Sequence, residues 1–448
     1  MRGKKVTLVG MGRTSVSLVK LLLREGAEPF VTEASNTPAL EAFKKELDSL
    51  GVSHECGGHS DEAFRNASLV VPSPGVPPSL EPIKRARESG ADVISELEFS
   101  SQYCRSRTLA VTGTNGKTTT TELLRCLVAA CGHEVILAGN NSIPFSTAVM
   151  AEPAPPFIVL EISSYQLELI RTFRPWIATV LNVTPDHLAR HGTIEGYAAA
   201  KARIFENQTH GDFAVLNLDD PYTRAMTPPA DATLWQYSLN EKVNRGLWLE
   251  GAKISLGDLY VADTTDTLLP GRHNMQNVLA ALTMMYAGGF DWDDVIAGLR
   301  TFRGVEHRIE HVLTVDGVDY INDSKSTNID SLRVALESFA KPLTLIAGGR
   351  GKGSDYRVLR EIMQRHVRNM ITIGEDTPLL ETAFGDIVTH ERAKSMQEAV
   401  ELAARRTEPG GVVLLSPACA SFDMFDNFEH RGRVFKECVH AYAKGVSQ

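Results

Sequence analysis

The amino-acid sequence predicts an α/β protein of three domains in which helices cover mostly parallel sheets. Two observations lead to this prediction: the length of the chain, and the repeated alternation of short apolar runs with helical patterns. The chain has 448 residues, and at roughly 100–200 residues per domain it has room for two to four domains. Because strands that alternate with helices along a chain usually pair in parallel, the alternation favours parallel sheets covered by helices.

The first domain is predicted over residues 1–105 and begins with the strand KVTLVG. The apolar run at the start breaks at glycines and leads into a helical pattern, which indicates a strand rather than a signal peptide. The following elements are the helix TSVSLVKLLLREG, the strand EPFVTE, the helix LEAFKKELDSLG, the strand in SLVVPSPGVPP and the closing segment ADVISELEFSSQYC.

The second and third domains are predicted over residues 106–303 and 304–448. Buried strands of the second domain are TLAVTG, EVILAG, FIVLEIS, WIATVLNV and FAVLNLD. The alternation of apolar and polar residues from Thr233 to Leu269 predicts a small excursion of antiparallel strands. Residues Asn274 to Gly289 are predicted to form a helix. The third domain is predicted from the hairpin HVLTVDGVDYIND, the helix SLRVALESFA and the strands LTLIAGG, MITIGE and GGVVLLSP.

The composition excludes several classes of protein. Hydrophobic residues make up 43% and charged residues 23% of the chain, which argues against a disordered, collagen-like or coiled-coil protein. No apolar run reaches roughly 18 residues, so we expect no membrane span. The 46 basic and 55 acidic residues give a net charge of −9, which argues against nucleic acid as a partner. The six cysteines lack a metal-binding spacing and are expected to be reduced, buried thiols of a cytoplasmic protein.

A phosphate-binding loop is the strongest single motif. Residues Thr112–Thr118, TGTNGKT, lie between an apolar strand and a helix. Successive backbone N–H groups in such a loop, with the N-terminus of the helix, cradle phosphates. Lys117 would reach the β- and γ-phosphates of a nucleotide, and the Thr118 hydroxyl would bind Mg²⁺. Val111 stands where the usual pattern has its first glycine, and the alternative is a Gly-rich turn without a ligand.

A second Gly-rich turn, Gly10–Ser15, follows the first strand. Ser15 stands where a dinucleotide site has its third glycine, and Glu33 has about the spacing of a ribose-binding acid. This turn leaves three alternatives open: a helix cap, a nicotinamide dinucleotide site, or a site for another nucleotide-bearing ligand.

Two side chains could hold a metal ion beside the phosphate loop. Glu161 ends the strand FIVLEIS, and His187 follows the strand in WIATVLNV. Open α/β sheets bind ligands at the carboxyl ends of their strands. A carboxylate is a natural ligand of Mg²⁺, whereas histidine is less usual. The alternative is a capping acid and a surface histidine.

Two turns of the third domain carry polar or basic groups. Residues 323–328, DSKSTN, lie between a strand and a helix that Thr327 or Asn328 could cap. Residues 348–353, GGRGKG, follow the strand LTLIAGG. Their basic side chains could approach an anion, and a solvated basic turn is the alternative.

Together these residues resemble the Mur ligases, and within that family the ligases that add D-glutamate. Nearly the whole chain takes part, through motifs in the expected order: TGTNGKTTT, EISSYQLE, NVTPDHLARHG, YAAAKARIF, GRHNMQNVLAAL, EHRIE, NDSKSTN, GGRGKG and SPACASFDMFDNFEHRG. The resemblance implies an N-terminal Rossmann-like domain that binds a UDP-sugar, a central P-loop ATPase-type domain and a C-terminal Rossmann-like domain that binds D-glutamate. It implies ATP-dependent ligation of D-glutamate to UDP-N-acetylmuramoyl-L-alanine in peptidoglycan precursor synthesis.

The resemblance also implies roles for individual residues. Lys117, Thr118 and Glu161 would hold the ATP phosphates and a first Mg²⁺, and His187 and a carbamylated Lys201 would hold a second Mg²⁺. A carbamate would convert the lysine cation into a hard oxygen ligand. The remaining ATP contacts would be Gly113, Thr114, Asn115, Gly116, Thr119, Asn277, Arg308 and Asp323. The UDP-sugar would contact Arg13, Thr14, Ser35, Ser73, Pro74, Gly75 and Asn140, and D-glutamate would contact Lys325, Thr327, Lys352, Ser421 and Phe428.

Two positions depart from the family pattern. Arg350 stands where an acid is common, and the turn GNNS at residues 139–142 replaces GNIG. These departures affect the expected contacts to D-glutamate and to the sugar, and they leave the phosphate loop and the metal ligands intact.

The expected mechanism passes through an acyl phosphate, which the amine of D-glutamate attacks to give a tetrahedral intermediate. The negative net charge does not oppose these anionic substrates, because phosphate binding uses local N–H groups, Mg²⁺ and a few basic residues. The base that deprotonates the amine is not identified by the sequence, since His187 would be committed to a metal. We expect a monomer whose domains close during the reaction.

Three alternatives to this function remain. The first is a Mur ligase that adds another amino acid, or a folylpolyglutamate synthetase, although the chain lacks a DNPR-type signature. The second is a non-catalytic nucleotide-regulated binding protein, which could lack Glu161, His187 or Lys201. The third is a dehydrogenase, against which Ser15 and the absence of a catalytic partner argue.

Overall fold

The structure, a computed structural model, describes residues 1–269, 271–339, 343–351 and 353–446, without the side chains of residues 330 and 446. Within this part of the chain the strands form three sheets. The residues form two compact units, the first of Met1–Thr267 with His273–Phe302 and the second of Leu268–Arg272 with Arg303–Gln448.

The first unit begins with a five-stranded parallel sheet. Its strands are β1 (Lys5–Val9), β2 (Glu28–Glu33), β3 (His54–Cys56), β4 (Leu69–Pro72) and β5 (Asp92–Val93), in the order β3-β2-β1-β4-β5. Its helices are α1 (Arg13–Arg24), α2 (Glu41–Ser49), α3 (Asp61–Phe64), α4 (Glu81–Glu88) and α5 (Glu96–Ser101). Val6, Leu8, Leu18 and Leu21 lie in its buried core. Parallel pairing brings the carboxyl ends of β1, β2 and β4 to one edge.

The same unit contains a nine-stranded sheet in the order β14-β13-β12-β11-β10-β9-β6-β8-β7. The strands are β6 (Arg107–Thr112), β7 (Val135–Gly139), β8 (Phe157–Glu161), β9 (Ile177–Val180), β10 (Phe213–Asn217), β11 (Thr233–Ser238), β12 (Gly246–Glu250), β13 (Lys253–Leu256) and β14 (Leu259–Asp263). The helices are α6 (Lys117–Ala130), α7 (Phe145–Ala148), α8 (Ser164–Leu167), α9 (Leu188–His191), α10 (Ile194–Ala202), α11 (Pro221–Arg224), α12 (Arg272–Ala287) and α13 (Trp292–Thr301).

The predicted antiparallel excursion is partly wrong. β11 pairs in parallel with β10, and β12 pairs in parallel with β11. Within the described residues of this segment, the antiparallel pairs are β12 with β13 and β13 with β14. The alternation of apolar and polar residues reports that one face of a strand is buried, and it carries no information on strand direction.

The second unit contains a six-stranded sheet in the order β15-β16-β20-β17-β18-β19 within the described residues. Its strands are β15 (Glu310–Val315), β16 (Val318–Asn322), β17 (Leu343–Gly348), β18 (Val367–Ile373), β19 (Thr389–Arg392) and β20 (Val412–Leu415). Its helices are α14 (Ile329–Glu337), α15 (Arg360–His366), α16 (Thr377–Phe384), α17 (Met396–Arg406) and α18 (Phe428–Val446). The predicted hairpin is the antiparallel pair of β15 and β16, and the other pairs are parallel.

The predicted α/β fold class with mostly parallel sheets is confirmed. Every helix in the described part of the chain is too short or too polar to cross a membrane. All six cysteines are free, but the prediction of buried thiols holds only for Cys419, because the other five are partly exposed.

Candidate active site

The predicted phosphate loop, residues 112–118, joins β6 to α6. Gly113 and Gly116 have φ angles of 152° and 85°, which lie in the region that favours glycine. A Cβ on Gly116 would lie 2.2 Å from Oδ1 of the buried Asn277 on α12, so this close approach requires glycine. The side chain of Asn277 also donates to Asn274 Oδ1 at 3.3 Å, as expected for two residues on one helix face.

Asn182, which follows β9, supports the phosphate loop. Its backbone carbonyl accepts from the Thr114 N–H at 3.0 Å, and its side-chain oxygen accepts from the Asn115 N–H at 2.9 Å. In this structure the N–H groups of Thr114 and Asn115 therefore donate to Asn182. Sequence reasoning missed Asn182, although its position at the carboxyl end of a parallel strand was an available signal.

Two lysines converge on one carbonyl of the loop. The Gly113 oxygen accepts from Lys117 Nζ at 3.0 Å and from Lys201 Nζ at 2.8 Å. Lys117 also donates to the Thr114 carbonyl at 2.8 Å. Lys201 reaches the loop from α10 and is 1% exposed. Burial, together with the nearby charge of Lys117, lowers the pKa of Lys201 to about 6, so its amine is largely uncharged at neutral pH.

The two predicted ligands of the first Mg²⁺ share one hydrogen-bond donor. Asn141 Nδ2 lies 3.1 Å from Thr118 Oγ1 and 2.7 Å from Glu161 Oε1. Asn140, which was predicted to contact the sugar, donates to the same carboxylate oxygen at 3.1 Å. Glu161 is buried at the end of β8, which pairs with β6. The structure thus brings Thr118 and Glu161 together, as the sequence predicted. Thr119 lies one residue further along the first turn of α6.

His187 and Lys201, the predicted ligands of the second Mg²⁺, both contact the ring of Tyr197. The ring centres of His187 and Tyr197 are 6.0 Å apart, and Lys201 Nζ lies 4.3 Å from the centre of the Tyr197 ring. Among the described residues, no group of three or more His, Cys, Asp and Glu side chains is arranged to hold a metal ion. A divalent ion at this place would need further oxygen ligands, such as phosphates or a carbamate.

Arg190, which sequence reasoning did not single out, joins several parts of the first unit. It is paired with Glu168 through bonds of 2.7 to 3.2 Å, and it donates to the Val76 carbonyl at 3.3 Å. A small cavity is lined by Arg190 and by Ser73 and Pro74. The predicted sugar-binding turn after β4 therefore lies next to the segment that follows His187.

The other residues predicted to bind the UDP-sugar line one edge of the five-stranded sheet. Arg13 and Thr14 begin α1 directly after the Gly-rich turn, and Ser35 follows β2. The turn Ser73–Gly75 follows β4, and the Ser73 N–H donates to the Val9 carbonyl at 2.8 Å. The sheet order brings these three segments to adjacent strand ends.

Glu33 is engaged within the protein rather than free to bind a ribose. Its Oε2 accepts from the Met11 N–H at 2.9 Å, and its Oε1 accepts from the N–H and hydroxyl of Ser35 at 2.8 and 2.9 Å. Ser15 stands at the position where a dinucleotide site has a bare glycine. Its hydroxyl donates to the Gly10 carbonyl at 2.5 Å. These contacts disfavour the dehydrogenase alternative.

In the second unit, two residues predicted to bind D-glutamate are in contact. Lys325 Nζ lies 5.4 Å from the centre of the Phe428 ring. Ser421 is buried. Thr327 is partly exposed and precedes Asn328, which caps α14 by accepting from the Ser331 N–H at 2.8 Å. Of the two predicted caps, the structure therefore uses Asn328.

Asp323, predicted to contact the nucleotide, is buried at the end of β16. Its Oδ2 accepts from the Ser416 hydroxyl at 2.8 Å, and its Oδ1 accepts from the Ile309 N–H at 3.3 Å. Burial raises the pKa of Asp323 to about 7, against the opposing effects of the Ser416 hydrogen bond and of the charge of Arg308. The structure thus brings Arg308 close enough to Asp323 to influence its charge.

Arg431 on α18 joins the two turns that carry these residues, and sequence reasoning missed it. The guanidinium donates to the hydroxyl and the carbonyl of Ser324 at 3.0 and 2.8 Å. It also donates to the Cys419 carbonyl at 3.0 Å. Arg431 is 1% exposed, and a buried arginine between two loops is a feature that only the folded chain reveals.

Arg350 and Lys352 belong to the Gly-rich turn after β17. Arg350 forms a bidentate pair with Glu375 at 2.8 and 2.9 Å. Its side chain is about half exposed. For Arg350, this agrees with the alternative of a solvated basic turn. Lys352 lies outside the described residues.

Comparison with known proteins identifies the family. Three family descriptions match in succession: "Mur ligase MurD-like, N-terminal domain" over residues 4–95, "Mur ligase middle domain" over 111–285 and "Mur ligase, glutamate ligase domain" over 307–419. The UDP-N-acetylmuramoylalanine–D-glutamate ligase of Koribacter versatilis is 41% identical over 450 residues and 99% of both chains. The chain belongs to the Mur ligase family.

Other relatives agree with this assignment. The UDP-N-acetylmuramoylalanine–D-glutamate ligase of Pelotomaculum thermopropionicum is 42% identical, over 99% of this chain and 98% of its own length. Among solved structures, the UDP-N-acetylmuramate-alanine ligase of Thermotoga maritima has a TM-score of 0.60 at 18% identity, over 98% of this chain and 99% of its own. Such a distant structure supports the Mur ligase fold alone. The predicted family resemblance is confirmed by the matched family descriptions and by the relatives that are about 40% identical.

Mur ligases depend on ATP and use Mg²⁺, and the residues of this chain fit both. The Thr118 hydroxyl and the buried Glu161 carboxylate are hard oxygen donors held beside each other by one amide. Lys117 lies on the same loop, and a lysine at such a place is the type of side chain that binds nucleotide phosphates.

Proposed function

We propose that this Mur ligase joins D-glutamate to UDP-N-acetylmuramoyl-L-alanine and converts ATP to ADP and phosphate. The observation that carries the proposal is the convergence of Lys117 and Lys201 on the Gly113 carbonyl. The two side chains meet at the loop expected to hold phosphates, and the Asn141 amide joins Thr118 of the same loop to Glu161. The names of the relatives, which cover the whole chain, support D-glutamate as the added amino acid.

The reaction proceeds in two balanced steps. A carboxylate oxygen of the alanine attacks the γ-phosphorus, the bond to the bridging oxygen breaks, and ADP leaves. The amine of D-glutamate then attacks the acyl carbon, and the tetrahedral intermediate expels phosphate and loses a proton to form the amide. Both steps bring anions together, so charge neutralisation and positioning dominate catalysis. Lys117 binds the transferred phosphoryl group, and Mg²⁺ adds positive charge when it is bound.

The proposal includes two Mg²⁺ sites. Thr118 and Glu161 serve the first, and His187 and a carbamylated Lys201 serve the second. Carbamylation joins the Lys201 nitrogen to the carbon of CO₂ and releases one proton. Two observations support it: the burial of Lys201 and its place beside the phosphate loop. The carbamate provides the oxygen ligands that the His187 site needs.

Substrate contacts are proposed at the positions implied by the family resemblance. ATP contacts Gly113, Thr114, Asn115, Gly116, Thr119, Asn277, Arg308 and Asp323. The UDP-sugar contacts Arg13, Thr14, Ser35, Ser73, Pro74, Gly75 and Asn140. D-Glutamate contacts Lys325, Thr327, Lys352, Ser421 and Phe428. We also propose domain boundaries near residues 105 and 303, a monomeric enzyme and a cytoplasmic reaction.

Phosphate release from ATP tests the proposal. The full-length protein is incubated with Mg²⁺, UDP-N-acetylmuramoyl-L-alanine and one amino acid from a panel of D- and L-isomers. We expect release with D-glutamate alone. Release with another amino acid instead would assign the chain to a different Mur ligase activity, and release without any amino acid would contradict coupled ligation.

A further inference from the structure

The amide of Asn141 stands between the two side chains proposed to hold the first Mg²⁺. Its single nitrogen donates to the Thr118 hydroxyl at 3.1 Å and to the Glu161 carboxylate at 2.7 Å. A carboxylate only accepts hydrogen bonds, so the group that faces Glu161 is the NH₂ rather than the carbonyl of the amide. Two partly positive hydrogens thus face two oxygens that a cation would bind.

We propose that the Asn141 amide replaces the cation in the metal-free protein and must be displaced when Mg²⁺ binds. It donates to both Thr118 and Glu161 from the position that a cation between these two oxygens would take. The inference rests on the proposed function, because it takes Thr118 and Glu161 as ligands of the first Mg²⁺.

The side chain of Asn141 can leave while its turn stays in place. Asn141 is exposed, whereas the turn around it is fixed by the Gly139 N–H, which donates to the Ile143 carbonyl at 2.8 Å. Ser142 in the same turn donates to the Leu137 carbonyl at 2.8 Å. Rotation of this exposed side chain therefore removes the donor that Thr118 and Glu161 share, without movement of the backbone, while the longer bond from Asn140 to Glu161 at 3.1 Å can remain.

The Asn141 amide and a cation compete for Glu161 because this carboxylate is charged. This carboxylate is 1% exposed, and a buried charge without a partner is costly. A cation that enters must break the bond from Asn141, which is a hydrogen bond to a charged group and stronger than a neutral one. A bare cation gains only Thr118 and Glu161 in exchange, whereas a cation bound to a nucleotide brings phosphate oxygens with it. The amide therefore favours the metal–nucleotide complex over the free metal ion.

Equilibrium binding of Mn²⁺, measured from the electron paramagnetic resonance signal of the free ion, tests the proposal on the full chain. In the absence of nucleotide, we expect Asn141→Ala to bind Mn²⁺ about tenfold more tightly than the wild type, or about 1.4 kcal/mol. Asn141→Asp should bind more tightly still, since it replaces the competing donor with a second carboxylate. Ser142→Ala, which changes a hydroxyl of the same turn that bonds to Leu137, is the matched control and should leave the affinity unchanged.

Equal or weaker binding of Mn²⁺ by Asn141→Ala would overturn the inference, because the amide would then support the ligands rather than compete with the ion. Glu161→Gln separates this failure from that of the proposed function. If Glu161→Gln weakens Mn²⁺ binding while Asn141→Ala does not strengthen it, only the competition is wrong. If Glu161→Gln has no effect, the metal site and the inference both fail.

Discussion

Among the described residues, one lysine of the first compact unit and one arginine of the second are almost fully buried against backbone carbonyl groups. Lys201 in the first unit donates to Gly113 at 2.8 Å, and Arg431 in the second donates to Ser324 and Cys419 at 2.8 and 3.0 Å. Burial lowers the pKa of both groups, to about 6 for Lys201 and to about 10 for Arg431. At neutral pH the amine is therefore largely neutral, whereas the guanidinium remains charged.

The difference shows how the same environment prepares two residues for different tasks. A neutral amine is a nucleophile, and it can react with CO₂ and become a metal ligand. A guanidinium keeps its proton and its planar set of donors, so it can hold two turns in a fixed position. Lys201 is thus suited to chemical modification, and Arg431 to positioning the residues proposed to bind D-glutamate.

The largest effect is expected from the loss of Lys117, the other lysine that donates to the Gly113 carbonyl. Lys117→Ala should lower phosphate release, measured with all three substrates, by at least about 10³-fold, because charge neutralisation dominates phosphoryl transfer. Lys20→Ala, which removes an exposed lysine paired with Glu46, is the control. Near-normal turnover of Lys117→Ala would exclude this loop as the phosphate site.

Replacement of Lys201 tests whether this lysine is carbamylated. Lys201→Ala should lower activity by about 10²-fold or more, because the proposed second Mg²⁺ loses a ligand. Formate or acetate should restore part of the activity, since a short carboxylate supplies the missing oxygens. Lys201→Arg should not be rescued, because its side chain fills the space and cannot be carbamylated. Absence of rescue, together with a native mass that lacks one added CO₂, would contradict carbamylation.

Arg431→Lys replaces the permanently charged guanidinium with an amine, the same group that Lys201 carries. A lysine lacks the planar fork that joins Ser324 to Cys419, so we expect the free energy of unfolding to fall by about 2–3 kcal/mol in chemical denaturation. The KM for D-glutamate should rise more than the KM for ATP, because the joined turns carry Lys325 and Ser421. Parallel changes in both KM values would reduce Arg431 to a structural role.

The smallest effect is expected at Lys352. Lys352→Ala should raise the KM for D-glutamate about tenfold, which corresponds to one hydrogen bond to a charged group, with little change in the KM for ATP. Steady-state kinetics with each substrate varied in turn measures both values. Arg365→Ala is the control, since Arg365 is an exposed cation that pairs with Glu361. A similar rise in both KM values would refute a contact with the glutamate carboxylates.

Much of the fold could be predicted from the sequence, because its long strands are continuous apolar runs. β6, β8 and β17 coincide with TLAVTG, FIVLEIS and LTLIAGG. The short strands β3 and β19 were not predicted, since HEC and THER carry polar residues and lie at sheet edges. Such strands form because a neighbouring strand offers hydrogen bonds, and their own sequence gives little signal.

The candidate site was predictable where chemistry and local pattern coincide. The phosphate loop, Glu161 and His187 follow strands in the sequence, and the pairing of β6 with β8 and β9 explains why they cluster. Lys201 was predicted as a site residue only through the family resemblance. Asn182 and Arg431 were missed because their roles arise from contacts between segments distant in the sequence.

The transfer of oxygen from the substrate to phosphate tests the central claim most directly. UDP-N-acetylmuramoyl-L-alanine labelled with ¹⁸O in the alanine carboxylate is converted with ATP and D-glutamate, and the phosphate is analysed by mass spectrometry. Phosphorylation of the carboxylate predicts one ¹⁸O atom in each phosphate formed from fully labelled substrate, because the C–O bond breaks when the amine displaces phosphate. Phosphate free of ¹⁸O, formed together with the ligated product, would contradict the proposed acyl phosphate.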